Sequence, residues 1–145
     1  MLNRWVILRA SGLLLFLIAV MPFHSVAFAR PPVPGPTPPE NLVPGQAVIR
    51  AVWKKDLHFL FAGEAGEVIT LRVTRKTPGL DPHVSLIDPE EGEEAADDDS
   101  GEQGNSLIQD HILKQTGEYT IIVGSDGKVQ GNVEILLEKA PPPSH

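Results

Sequence analysis

Short alternations of apolar and polar residues, broken every few positions by Gly, Asp, Asn or Pro, run through residues 46–138 and restrict that region to strands. The clearest case is residues 68–75, where Ile69, Leu71 and Val73 alternate with Thr70, Arg72 and Thr74. This is the period-two pattern of a strand with one buried face. Residues 57–62 repeat it, with Leu57, Phe59 and Phe61 on one side. Further strands are expected over 46–52, 83–87, 94–96, 106–113, 117–124 and 131–138. The last two are joined through Ser125-Asp126-Gly127, whose Asp-Gly chemistry predicts a hairpin. Tyr119, Ile121 and Val123 are then expected to face Val133, Ile135 and Leu137 across a core. Only residues 104–115 have a helical reading, and their β-branched, apolar pattern fits a strand at least as well. Seven or eight short strands without an amphipathic helix predict an all-β fold, an antiparallel β-sandwich, with a barrel as the alternative.

The two ends of the chain read differently. Residues 1–29 carry basic Arg4 and Arg9, an apolar run from Leu13 to Val20 and a small-x-small site at Ala27-Phe28-Ala29, the three zones of a signal peptide cleaved after Ala29. The competing reading is an uncleaved anchor, but the apolar run is shorter than the ~20 residues of a spanning helix. Residues 30–40 form a Pro-rich spacer, RPPVPGPTPPE, whose fixed φ angles favour an extended, solvated conformation. A second Pro-rich segment, residues 140–145, bounds a domain expected over 41–139. Export to the periplasm or the exterior, with no stable membrane anchor after cleavage, is the expected destination.

Within that domain, Leu80-Asp81-Pro82, Val84-Ser85-Leu86-Ile87-Asp88-Pro89, Gly92, Asp97-Asp98-Asp99 and the run from Thr116 to Val123 follow one another in a definite order. This progression resembles the bacterial pre-peptidase C-terminal family, as do the upstream Pro44-Gly45-Gln46 and Ala65-Gly66-Glu67-Val68. The resemblance implies a jelly-roll-like β-sandwich of the kind that trails secreted proteases. Two departures stand out: Ser100-Gly101-Glu102-Gln103-Gly104-Asn105 adds charge after the acidic run, and no protease domain precedes the sandwich. Non-catalytic binding of a protein or polysaccharide in the exported compartment is therefore the first functional expectation. Modulation of a separately encoded secreted hydrolase, as inhibitor or folding partner, is the second.

Charge and composition narrow the chemistry. The formal charge is −7, and losing Arg4 and Arg9 takes it to −9, which disfavours nucleic acid as a partner. The absence of cysteine removes thiolate metal sites and cysteine nucleophiles. No HExxH pair or GxSxG elbow occurs, and His58, His83 and His111 read as surface or edge residues, so no enzyme is expected. The sharpest candidate is Asp97, Asp98 and Asp99, adjacent carboxylates suited to Ca2+, with Asp81, Glu102 or Asn105 completing the oxygen shell. The plainer reading is a solvated acidic turn that protects a strand edge. Trp53, followed by Lys54-Lys55-Asp56 in a predicted turn, is the one aromatic that alternation leaves outside the core, and the candidate ligand-binding residue.

Overall fold

The computed structural model describes residues 38–141; the expected signal peptide lies outside them, as do residues 30–37 of the spacer and 142–145 of the tail. Nine strands form: β1 (Glu40–Asn41), β2 (Val48–Val52), β3 (Leu57–Gly63), β4 (Val68–Arg75), β5 (Pro82–Ile87), β6 (Glu93–Asp97), β7 (Ser106–Ile112), β8 (Gly117–Ser125) and β9 (Gly131–Ala140). Pairing extends one residue beyond the expected domain at each end, to Glu40 and Ala140. The strands make two sheets, in the orders β1-β3-β8-β5-β6 and β2-β9-β4-β7. All pairs are antiparallel except β1 with β3.

The order has a simple logic. β5 pairs with β6, β4 with β7, β3 with β8 and β2 with β9, as if one long hairpin had been rolled into two layers. That is the jelly-roll arrangement. It also corrects the hairpin expected between the last two strands. β8 has both edges taken by β3 and β5, and β9 by β2 and β4, so the chain crosses between sheets through residues 126–130. The local Asp-Gly signal marks a turn but cannot say in which sheet the next strand lands.

The facing of side chains follows the alternation. Phe59, Phe61, Tyr119, Ile121 and Val123 from one sheet meet Ile69, Leu71, Val73, Val133, Ile135 and Leu137 from the other, all buried in one core. Phe61 and Tyr119 stack with ring centroids 5.4 Å apart, an arrangement that adds to their area burial. Asp88 closes the β5–β6 turn: its Oδ1 accepts the backbone N–H groups of Glu90 and Gly92, at 2.8 and 2.9 Å. This is the side-chain cap that an Asp before proline favours.

A sandwich leaves two open edges, and a contact between polar side chains of the two sheets bridges each of them. Along one, Arg50 of β2 donates Nε to Glu40 Oε2 of β1 at 2.7 Å, and a second bond joins Nη2 to Oε1. Along the other, Glu94 of β6 meets His111 of β7.

Candidate functional site

Strands that alternate in direction put the β2–β3, β4–β5, β6–β7 and β8–β9 connections at one end of the roll. Arg75 N–H donates to Asn105 Oδ1 (2.9 Å) and Ser106 Oγ to Pro82 O (2.7 Å), tying two of these connections together. Asp126 N–H donates to Asp81 O at 3.1 Å and ties in a third. Trp53, Asp81 and Asp97–Asp99, which the sequence singles out separately, thus share this loop end.

Within the acidic run the three carboxylates have different surroundings. Asp97 ends β6, and its Oδ2 accepts the N–H groups of Leu107 (2.7 Å) and Ser100 (3.1 Å), so it fastens its own loop. Asp98 contributes its backbone carbonyl to Ser106 Oγ at 3.3 Å, and Asp99 is exposed. Asn105 is engaged at both ends of its amide, with Arg75 N–H and with Glu102 O. Among the described residues, no three His, Asp or Glu side chains stand close enough together to hold a metal ion.

Trp53 is 65% exposed, the most of any large hydrophobic side chain among the described residues. Its carbonyl accepts the N–H of Lys55 at 2.6 Å, closing a three-residue turn on Lys54, whose φ is 54°. A lysine in that region is strained, and the surrounding fold must hold it there. The turn separates two hollows. One, of about 370 Å³, lies between this turn and the β8–β9 connection and is lined by Lys54, Lys55, Asp56, Ser125 and Lys128. The other, of about 580 Å³, runs along the β1–β2 edge past Pro38, Arg50, Trp53 and His58.

Beside them, His83 and Asp56 lie close over Gly124: a Cβ there would meet the His83 ring and the Asp56 carboxylate, and both side chains would have to shift. His83 Nδ1 lies 3.3 Å from Asp126 Oδ1, too poorly aligned for a hydrogen bond. His58 is exposed on the face opposite the phenyl rings, as its place in the alternation predicts.

The sequence reading did not single out a buried, hydrogen-bonded polar cluster. Glu94, whose side chain is 1% exposed, places Oε1 2.7 Å from His111 Nε2 and accepts Lys114 N–H at 3.3 Å. Tyr119 OH donates to Gln115 O (3.0 Å) and accepts Gln115 N–H (3.1 Å), with Glu94 Oε2 at 3.4 Å. Burial holds the Tyr119 phenol above its ordinary pKa; the Gln115 N–H opposes that shift, and the charges of Glu94 and Asp88 reinforce it. Two bulges build the cluster. One extra residue in β6, between the partners of Leu86 and Ile87, re-aims Glu94. One extra residue in β7, with Asp110 at φ 49°, puts His111 opposite buried Ile69. The cluster fastens two strands, whereas the loop end with Trp53 borders two hollows and is the candidate site.

No protein-family model and no curated protein sequence matches the chain. Among solved structures that match the chain, two illustrate the shared fold. The pre-peptidase C-terminal domain of a collagenase from Bacillus anthracis superposes with a TM-score of 0.61 at 12% identity, over 73% of this chain and 100% of that one. PliG of Aeromonas hydrophila, a periplasmic inhibitor of g-type lysozyme, superposes with a TM-score of 0.55 at 10% identity, over 70% and 95%. At such identities the likeness is one of architecture, and the chain is an all-β sandwich with the fold of a pre-peptidase C-terminal domain.

Proposed function

We propose that the chain is an exported, non-catalytic binding domain whose partner meets the loop end around Trp53. The carrying observation is the exposed indole held on a strained turn beside Lys54 and Lys55. A large aromatic in water next to a hollow is an unused contact, and exposed aromatics are enriched where proteins bind. Export rests on the signal pattern of residues 1–29 and agrees with the periplasmic setting of the Aeromonas inhibitor. The non-catalytic reading is supported by the fold shared with a pre-peptidase C-terminal domain and with a lysozyme inhibitor.

The second reading, modulation of a secreted hydrolase, draws on the fold shared with a lysozyme inhibitor. Both readings share one test. The exported fraction of the source cells, soluble and insoluble, is passed over immobilised wild-type domain and its Trp53→Ala variant. Retention of a component by the wild type alone supports the binding reading, and a retained hydrolase that loses activity on binding selects the second. If nothing distinguishes the two columns, the reading fails.

A further inference from the structure

Charge is unevenly shared over this acidic molecule. All 19 Asp and Glu residues fall within the described region, whereas Arg4, Arg9 and Arg30 of the 12 cations do not. Of the cations that remain, Arg50, Arg72, Lys76 and Lys139 are ion-paired. Five form no ion pair among the described residues, Lys54, Lys55, Arg75, Lys114 and Lys128, and of these Lys54, Lys55 and Lys128 line the 370 Å³ hollow. Unpaired ammonium groups converging on a hollow in an otherwise negative protein create a local site for anionic groups.

Two further observations bear on what carries the negative charge. Ser125 Oγ, which borders the same hollow, is buried with no hydrogen-bond partner among the described residues. A buried hydroxyl without a partner is costly until a ligand's polar group reaches it. Trp53 also has little apolar company: of the exposed large hydrophobics only Val129 shares the loop end, and it lies 3.7 Å from the Cβ position of Gly79. Protein interfaces gather several apolar side chains into a buried core, whereas a sugar ring needs one flat aromatic face and several polar partners.

Resting on the binding reading above, we infer that the loop end takes an acidic saccharide, a chain of uronate rings. One ring stacks on Trp53, and its neighbours' carboxylates meet Lys54, Lys55 and Lys128. The Asp56 carboxylate shares the lining of the same hollow, so the carboxylates of such a chain settle toward the ammonium groups and away from it.

The test is calorimetric titration of the domain with hexagalacturonate, with neutral maltohexaose and with polyglutamate as comparators, at low and high salt. Hexagalacturonate is expected to bind, more weakly at high salt. Trp53→Ala and the double change Lys54→Gln, Lys55→Gln are each expected to raise its Kd by about tenfold or more, with an unchanged melting temperature because these side chains are exposed. The inference is overturned if hexagalacturonate does not bind, if maltohexaose binds as well, if polyglutamate matches it, or if the lysine changes leave the Kd unmoved. Its failure is distinct from failure of the binding reading, which stands as long as some exported component still separates wild type from Trp53→Ala.

Discussion

His111 Nε2 lies 2.7 Å from Glu94 Oε1 across the gap between the two sheets, and neither residue would face the other without its own bulge. The pair joins the outermost strands of both sheets, where a sandwich is otherwise free to gape. Glu94 also accepts Lys114 N–H and lies beside the Tyr119 hydroxyl. Replacing Glu94 by Ala removes the buried oxygens that His111, Lys114 N–H and the Tyr119 hydroxyl contact and is expected to cost about 3 kcal/mol in urea unfolding. His111→Ala is expected to cost less, because Glu94 keeps its other donors. The double variant should lose less than the sum of the two.

The opposite edge provides the control. Arg50 and Glu40 make a two-pronged contact, but their side chains are 41% and 40% exposed. Water already solvates both charges, so Glu40→Ala is expected to change stability by no more than about 1 kcal/mol. If the same urea series gave this change a loss as large as that of Glu94→Ala, burial would not be what separates the two edges.

The ion pair between Glu67 and Lys139 sets a dependence on acid. Burial pushes the Glu67 carboxyl up, but its contact with Lys139 Nζ at 2.7 Å and the N–H of Glu64 at 2.8 Å outweigh that and leave it below its usual range. A carboxyl depressed in the folded state adds stability that is complete above the unfolded value, about 4.3 for glutamate. That stability drains away as pH falls through the lower folded value. Melting temperature followed from neutral pH to strong acid should therefore fall less steeply in Glu67→Gln than in the wild type over that window.

Gly63 ends β3 beneath the core rings. A methyl group there would overlap Leu113 Cδ1 and lie against the Tyr119 ring at about 3.0 Å. Gly63→Ala is expected to destabilise by about 1 to 3 kcal/mol through overpacking. Since Leu113, itself buried in the core, is the nearer obstacle, Gly63→Ala should cost less in a Leu113→Ala background than in the wild type; an equal cost in both backgrounds, read by thermal unfolding, would refute the packing explanation.

How much of this was legible in the residues depends on the range over which each feature is determined. β4 spans the segment that alternation marks out, because Ile69, Leu71 and Val73 are apolar for the same reason that they are buried. The exposure of Trp53 was readable too, since Lys54-Lys55-Asp56 breaks the pattern on one side of it. The β8–β9 crossing was not readable, because the choice of sheet depends on β3 and β5 occupying both edges of β8, some 40 to 60 residues upstream. Nor was the Glu94–His111 pair. A bulge resets the alternation by one residue, and only the partner strand reveals that it has occurred. Asp97 was readable as a loop residue, while its use as an acceptor for Leu107 N–H depends on the return of the chain ten positions later.

The parallel pairing of β1 with β3 has a practical consequence for anyone handling the molecule. Glu40 lies against Phe59, so Pro38 borders the same groove as Trp53, whereas Ala140 pairs with Val68 at the opposite pole. A surface coupling made at Pro38 sits at the groove that the indole borders, while one placed after Ala140 lies at the other pole. Immobilisation chemistry therefore decides whether a binding assay samples the Trp53 face at all.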